Sequence, residues 1–217
     1  MSKKNISQEK IIQAFLSSAF DKSAGATSLA DVADSLEIKK ASLYNHFESR
    51  DAMYDASIDY CAEHIGKVEF VTQKVLEAVT AQKITVQAAI KKLISRYFSL
   101  FDSEPLFKMY VFVHTEQYFN AKALKIVQNQ IEKIAEDIKT IFIQAIKDKS
   151  EKEIKELALA CTSLILAQLD AYIAVRKETI RQNPETGAGS LFELPSDNNI
   201  INKAARLVEG LLSVVSD

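Results

Sequence analysis

Glycine and proline are scarce. The 217 residues hold only 5 Gly and 3 Pro, about a third of the roughly 12% combined share of an average protein. That excludes a collagen-like or linker-dominated chain, and it argues against an all-β sandwich, whose many turns draw on both residues. Glycines so scattered build no phosphate-cradling loop. The expected class is all-α. Charge of one sign is lacking as well: the net charge is −2, which excludes nonspecific coating of nucleic acid but leaves room for a small local site. The two cysteines, Cys61 and Cys161, lie in apolar helix-like stretches and are expected to be free, buried thiols. The longest uncharged apolar run, Leu157 to Leu169 between Glu156 and Asp170, is too short to span a bilayer.

The ingredients of catalysis are thin. There are three histidines and no paired acid and base. Gly187-Ala188-Gly189-Ser190 reads as a flexible loop, not as a nucleophile elbow. Cys61-x-x-His64 places two metal ligands one helical turn apart, but two further ligands are not evident. No enzyme activity, cofactor or metal is therefore expected. The first 26 residues imitate a signal peptide, with Lys3 and Lys4 before an apolar Ile11–Phe20. Glu9, Lys10 and Gln13 interrupt that pattern and Asp21-Lys22 close it, so an amphipathic helix and a cytoplasmic protein without a membrane partner are expected.

What is present is helical periodicity. After a polar arm over 1–6, Ser7 is placed to cap a helix burying Ile11, Ile12, Phe15, Leu16 and Ala19, at i, i+3, i+4 spacing. Ser28 and Asp31 form a capping box before a short helix with Leu29, Val32, Ala33 and Leu36 inward. Three turn residues, Glu37 to Lys39, lead to a second short helix over about 40–47 that buries Leu43 and Phe47. Ser49 then caps a helix reaching to about Val79. Further helices are expected over 85–102, 105–119, 122–148, 151–182 and 197–215, with a second capping box at Ser150 and Glu153. Residues 183–196 gather half of all the Gly and Pro and read as a loop.

Two short helices joined by a three-residue turn have helix-turn-helix spacing. The outward side of the second carries Lys40, Ala41, Ser42, Tyr44, Asn45 and His46. Small side chains let a backbone approach base edges, Asn pairs with adenine, and His or Ser bonds to several bases. Lys39, Lys40 and Tyr44 suit phosphate oxygens. Spacing alone leaves a plain three-helix structural module as the alternative.

At these residues the chain resembles the TetR family of bacterial transcriptional regulators. The stretches that carry the resemblance are Ala26-Thr27-Ser28-Leu29-Ala30-Asp31-Val32-Ala33 and Ala41-Ser42-Leu43-Tyr44-Asn45-His46-Phe47-Glu48-Ser49-Arg50-Asp51-Ala52-Met53. They are similar to the family pattern TS-x-x-D-I-A followed by G-x-LYxHF-x-SK-E-x-L, over about residues 10–54. The resemblance implies a helix-turn-helix DNA-binding domain over 1–50 and a helical effector-binding and dimerisation domain over 51–217. It implies a homodimer on a double-stranded DNA operator, with a small effector controlling release. Thr27 and Tyr44 would hold phosphates, and Arg50 stands where the family usually has a phosphate-facing Lys. The candidate DNA-contacting set is thus Thr27, Ser28, Lys39, Lys40, Ala41, Ser42, Tyr44, Asn45, His46 and Arg50.

Several positions depart from the family pattern. Ser23 and Glu37 stand where the family often has Gly. A left-handed Glu37 costs roughly 1 kcal/mol, so a turn of another conformation is expected there. Lys39 replaces a small capping residue. Phe15 and Ala19 invert a small-then-Phe order on one helix face, a swap that conserves core volume. Residues 1–54 hold seven basic and seven acidic side chains, so affinity must come from placement.

Toward the C-terminus, Leu157, Cys161, Leu164, Ile165 and Leu169, with Ala204, Leu207, Val208, Leu211 and Leu212, make wide apolar stripes suited to an intersubunit four-helix bundle. Tyr60, His64, Tyr97, Phe98, Phe101, Tyr110, His114, Gln117, Tyr118 and Tyr172 are the candidate walls and polar tips of a pocket for a largely apolar effector. Two other readings remain: a DNA-bound protein of the same fold acting through protein contacts, and a helical enzyme or adaptor without a DNA role.

Overall fold

The structure, a computed structural model, describes residues 6–146, 149–187 and 197–216. Lys3 and Lys4 of the expected arm, and Gly189, Ser190 and Pro195 of the expected loop, lie outside the described residues. Among the described residues there are ten α-helices and no strand: α1 (Gln8–Lys22), α2 (Leu29–Ser35), α3 (Lys40–Leu43), α4 (Arg50–Gly66), α5 (Gln73–Thr80), α6 (Val86–Phe101), α7 (Leu106–Glu116), α8 (Ala121–Ala145), α9 (Glu151–Gln182) and α10 (Asn198–Ser216).

Helix starts follow from local sequence. The hydroxyls of Ser7, Ser49 and Thr85 accept from backbone N–H groups three residues on, each cap worth about 1 kcal/mol. Both expected capping boxes form, at Ser28 with Asp31 and at Ser150 with Glu153.

Helix ends depart from the usual pattern, in which a left-handed glycine closes the last turn. Here Ser23, Glu37 and Gln82 have φ of 78°, 55° and 54°, whereas none of Gly25, Gly66, Gly187 and Gly210 has φ in that range. After α2, the Glu37 N–H bonds the Asp34 carbonyl at 3.1 Å and the Ile38 N–H bonds Ala33 at 3.0 Å. After α5, Gln82 bonds Val79 at 2.9 Å and Lys83 bonds Ala78 at 2.8 Å. Both are Schellman closures, which satisfy two carbonyls that the helix would leave unpaired. The expectation that Glu37 avoids the left-handed region is therefore corrected. Two hydrogen bonds, at about 0.5–1.5 kcal/mol each, outweigh its conformational cost.

Two other boundaries differ from expectation. α4 ends at Gly66 and does not continue to Val79, because the chain leaves the helix to bury Val68 and Phe70; Thr72 then opens α5. α3 stops at Leu43. Beyond it the Asn45 and His46 N–H groups bond to residues three back, Ser42 and Leu43, the tighter winding of a 3-10 turn.

By packing, the chain forms two compact units. The first comprises residues up to Lys67 together with Pro105–Gln128; residue 50, the expected functional boundary, falls inside it at the start of α4. Here α1 packs on α2, α4 and α7. Phe15, fully buried, meets Tyr54 and Phe112 edge-on at 6.3 and 6.1 Å, and Phe20 meets Phe107 at 5.3 Å. The Tyr54 hydroxyl donates to the buried Glu116 carboxylate at 2.8 Å.

The second unit comprises Val68–Glu104 and residues from Asn129 onward. α10 packs on α6 and α9. Tyr97 lies 4.9 Å from Phe70 and 5.0 Å from Phe101, and Gln130 donates to its hydroxyl at 2.6 Å. Asp102 and Arg176 form an ion pair with side chains 2% and 7% exposed.

The apolar stripes of α9 and α10 are divided between inside and surface. Leu157, Cys161, Ile165 and Leu169, with Ala204 and Val208, are buried inside this unit. Leu164, Leu211 and Leu212 are half-buried and Leu207 is exposed. The side that α9 leaves open carries Leu159, Ala160, Ser163, Ala167, Asp170, Ala171, Ala174 and Val175.

Candidate nucleic-acid interface

α2, its left-handed closure and α3 form the helix-turn-helix. α2 is held at its start by reciprocal bonds: the Asp31 carboxylate accepts from the Ser28 N–H at 2.7 Å, and the Ser28 hydroxyl accepts from the Asp31 N–H at 3.2 Å. Lys22 adds an ion pair to Asp31 at 2.5 Å. Lys22 and the Ser28 bonds hold the Asp31 carboxyl down at about 2. Ser28 is thus engaged in capping, although its residue surface is exposed.

α3 and the turn that continues it are anchored by Leu43, 1% exposed, and Phe47, 9% exposed. With those two inward, Lys39, Lys40, Ala41, Tyr44 and Asn45 are exposed, and Ser42 and His46 are half-buried at its edges. Tyr44 is 52% exposed, unusual for a large ring. Lys39 precedes the helix in extended conformation without a side-chain cap. Seven of the ten candidate residues thereby lie on one continuous surface of small, cationic and hydrogen-bonding groups. Gln8, which sequence reasoning passed over, donates to the His46 carbonyl at 3.0 Å and ties the start of α1 to the turn after α3. Its identity as an ordinary helix residue gave no signal of this.

Thr27 and Arg50 are placed differently. Thr27 is 1% exposed and its hydroxyl donates inward to the Ser23 carbonyl at 2.8 Å. The Arg50 guanidinium donates from Nε to the Thr27 carbonyl at 2.8 Å and from Nη2 to the Ala24 carbonyl. Thr27 lies in the α1–α2 turn, and Arg50, the first residue of α4, bonds to that turn's carbonyls.

The ten aromatic and polar residues named for an effector pocket are divided between the two units. In the first, Tyr60 donates to Glu9 at 3.0 Å and packs at a tilt 4.0 Å from His64, while the buried Tyr110 stacks on His114 at 3.8 Å. Gln117 donates to the His114 carbonyl at 2.7 Å, and Tyr118 is 79% exposed. In the second, Tyr97, Phe98 and Phe101 are core residues, and Phe98 packs 6.0 Å from the half-buried Tyr172. None of the ten lines the cleft of about 500 Å³ between α5 and α8, which is bounded by Gln73, Leu76, Glu77, Thr80, Ala81, Thr140 and Gln144. Cys61 and Cys161 are free and buried, and burial pushes each thiol up to about 12.

The comparisons with known proteins agree with this geometry. Residues 11–57 match the family model described as bacterial regulatory proteins, tetR family. Over 147 residues, 67% of this chain and 74% of the relative, the sequence is 26% identical to the biofilm operon icaADBC HTH-type negative transcriptional regulator IcaR of Staphylococcus aureus strain Newman. The fold is similar to that of a TetR-family transcriptional regulator from Mesorhizobium loti MAFF303099, with a TM-score of 0.56 and 14% identity over 95% of each chain. It is also similar to a TetR-like transcriptional regulator from Rhodococcus sp. RHA1, with a TM-score of 0.56 and 15% identity over 97% of this chain and 96% of that one.

Proposed function

We propose that this chain, whose residues 11–57 match the tetR family model and which is 26% identical over 147 residues to a negative transcriptional regulator, is a cytoplasmic, homodimeric TetR-family repressor of transcription, released from a palindromic operator by a small, largely apolar effector. The observation that carries the DNA-binding part is the outer surface of α3 and the turn that continues it: Leu43 and Phe47 bury the inner side, leaving Lys40, Ala41, Tyr44 and Asn45 outward with Ser42 and His46 at the edges. Lys39, Lys40 and Tyr44 hold phosphates, and Ser42, Asn45 and His46 read base edges, each good bidentate pair being worth about 1–3 kcal/mol of discrimination. The repressor sense is supported by the negative regulator among the relatives.

The dimer reading rests on α9. Its open side of Leu159, Ala160, Ser163, Ala167, Ala171, Ala174 and Val175 is mostly small and apolar, with Asp170 as a charge within it, and small side chains let two helices approach closely. α9 has the length and composition to cross a membrane; its inner stripe is already buried in the second unit, so the open side is read as the seat of a second copy. In a dimer, residues 1–50 serve as the DNA head and 51–217 as the effector-binding and dimerising part. An effector acts by favouring a protomer arrangement in which the two α3 helices no longer fit successive grooves.

A gel-shift titration with DNA from upstream of its own gene tests the reading. Wild type is expected to bind at nanomolar to sub-micromolar concentration, and the Lys40→Ala, Tyr44→Ala double variant at least tenfold more weakly. Equal binding by both removes α3 from the interface. A thermal-shift screen of small hydrophobic compounds addresses the effector, since a ligand of the native state raises the midpoint.

A further inference from the structure

We propose that Arg50 is a positioning residue, a staple that holds the α1–α2 turn in a conformation strained at Ser23, and not a cation for a DNA phosphate. Three nitrogens of its guanidinium have partners inside the protein: Nε on the Thr27 carbonyl at 2.8 Å, Nη2 on the Ala24 carbonyl, and Nη1 on Asp51 at 3.4 Å. The guanidinium carbon lies 5.8 Å from the centre of the fully buried Phe15 ring, and the side chain is 31% exposed. A planar fork of donors spans two carbonyls at once, which a lysine ammonium on a flexible stem does poorly.

The turn needs such a clamp. Ser23 has φ 78° and ψ 155°, a region occupied almost only by glycine, and such conformations persist where the surroundings over-determine them. Here the Ser23 N–H bonds Ala19 at 2.9 Å and its carbonyl accepts from Thr27 at 2.8 Å. Arg50 grips the next carbonyl, at Ala24, and the one that ends the turn, at Thr27. The turn delivers the chain to Ser28, the cap of α2, so a slack turn misplaces α2 and with it α3. Arg50 and a non-glycine residue at 23 are thus a coupled pair.

The experiment uses the full chain carrying Arg50→Gln or Arg50→Lys, each with and without Ser23→Gly. Without DNA, both Arg50 variants are expected to melt several degrees below wild type, with Lys recovering little. Ser23→Gly is expected to shrink that drop to about half or less, because glycine holds the conformation unaided. With duplex DNA from upstream of the gene, the slope of log K against log salt is expected to match wild type for Arg50→Gln. An unchanged midpoint, an equal drop in both backgrounds, or a slope shallower by about 0.9 per protomer, the signature of one lost phosphate contact, overturns the assignment. If Arg50→Gln alone does not fold, recovery by Ser23→Gly supports the staple and failure to recover refutes it. The second half of the proposal rests on the DNA-binding reading; if wild type binds no DNA, that reading falls, and the DNA-free melting arm still decides the staple.

Discussion

Ser23→Gly should stabilise this protein although it removes a side chain and adds no contact. The native backbone at 23, with φ 78° and ψ 155°, costs a residue with a Cβ about 1–3 kcal/mol. Glycine adopts it freely but brings a more flexible unfolded chain, an offset of about 0.4–1 kcal/mol. Ser23 is exposed, so little packing is lost. The net expectation is a gain of about 1 kcal/mol, or roughly 2–4 °C in melting midpoint for a chain of this length. Urea unfolding followed by circular dichroism measures it directly, the transition moving to higher urea with an unchanged slope. Ser23→Ala is the control, since it removes the hydroxyl and keeps the Cβ, and no gain is expected. If Ser23→Gly is no more stable than wild type, or Ser23→Ala gains as much, the strain does not reside where the backbone places it.

Three further perturbations address other parts of the molecule. Tyr54→Phe leaves the buried Glu116 carboxylate without the 2.8 Å donor and should lower stability by about 1.5–3 kcal/mol, the range for hydrogen bonds to charged groups, read as a lower urea midpoint. Asp102→Ala strips the buried Arg176 of its ion-pair partner and should cost about 3–5 kcal/mol, whereas replacing both by apolar residues should cost far less; a double-mutant cycle separates the two. Acid should expose two opposed carboxylates. Asp31, lowered from 3.8 to about 2 by Lys22 and Ser28, contributes stability that is present above pH 4 and lost as pH falls toward 2, so Asp31→Asn should flatten that limb. Asp137, raised to about 6 by burial, does the reverse: its contribution falls as pH rises from about 4 through 6, and Asp137→Asn should raise the midpoint at pH 7.

The sequence was most legible where a few neighbouring residues decide the outcome. Capping boxes at Ser28 and Ser150 and the paired anchors Leu43 and Phe47 are local patterns, and they appear in the structure as expected. It was less legible where the deciding partner is distant. Periodicity marks α9 as apolar on more than one side, but it cannot say which side meets α6 and α10; Leu157, Cys161 and Ile165 went inward and Leu159, Ala167 and Val175 outward. For Arg50 the resemblance points to a phosphate-facing cation, whereas its guanidinium bonds the carbonyls of Ala24 and Thr27, 26 and 23 residues away, partners that no local pattern reveals. The scarcity of glycine ties these cases together. Three helices here close through left-handed Ser23, Glu37 and Gln82, so the missing glycines do not mean missing turns. They mean that each turn stores strain and is held by something else: two Schellman hydrogen bonds at Glu37 and at Gln82, and a guanidinium clamp beside Ser23. A composition that at first indicated only helix therefore also predicts where glycine substitutions gain stability, most where the φ, ψ pair is furthest from what a Cβ tolerates.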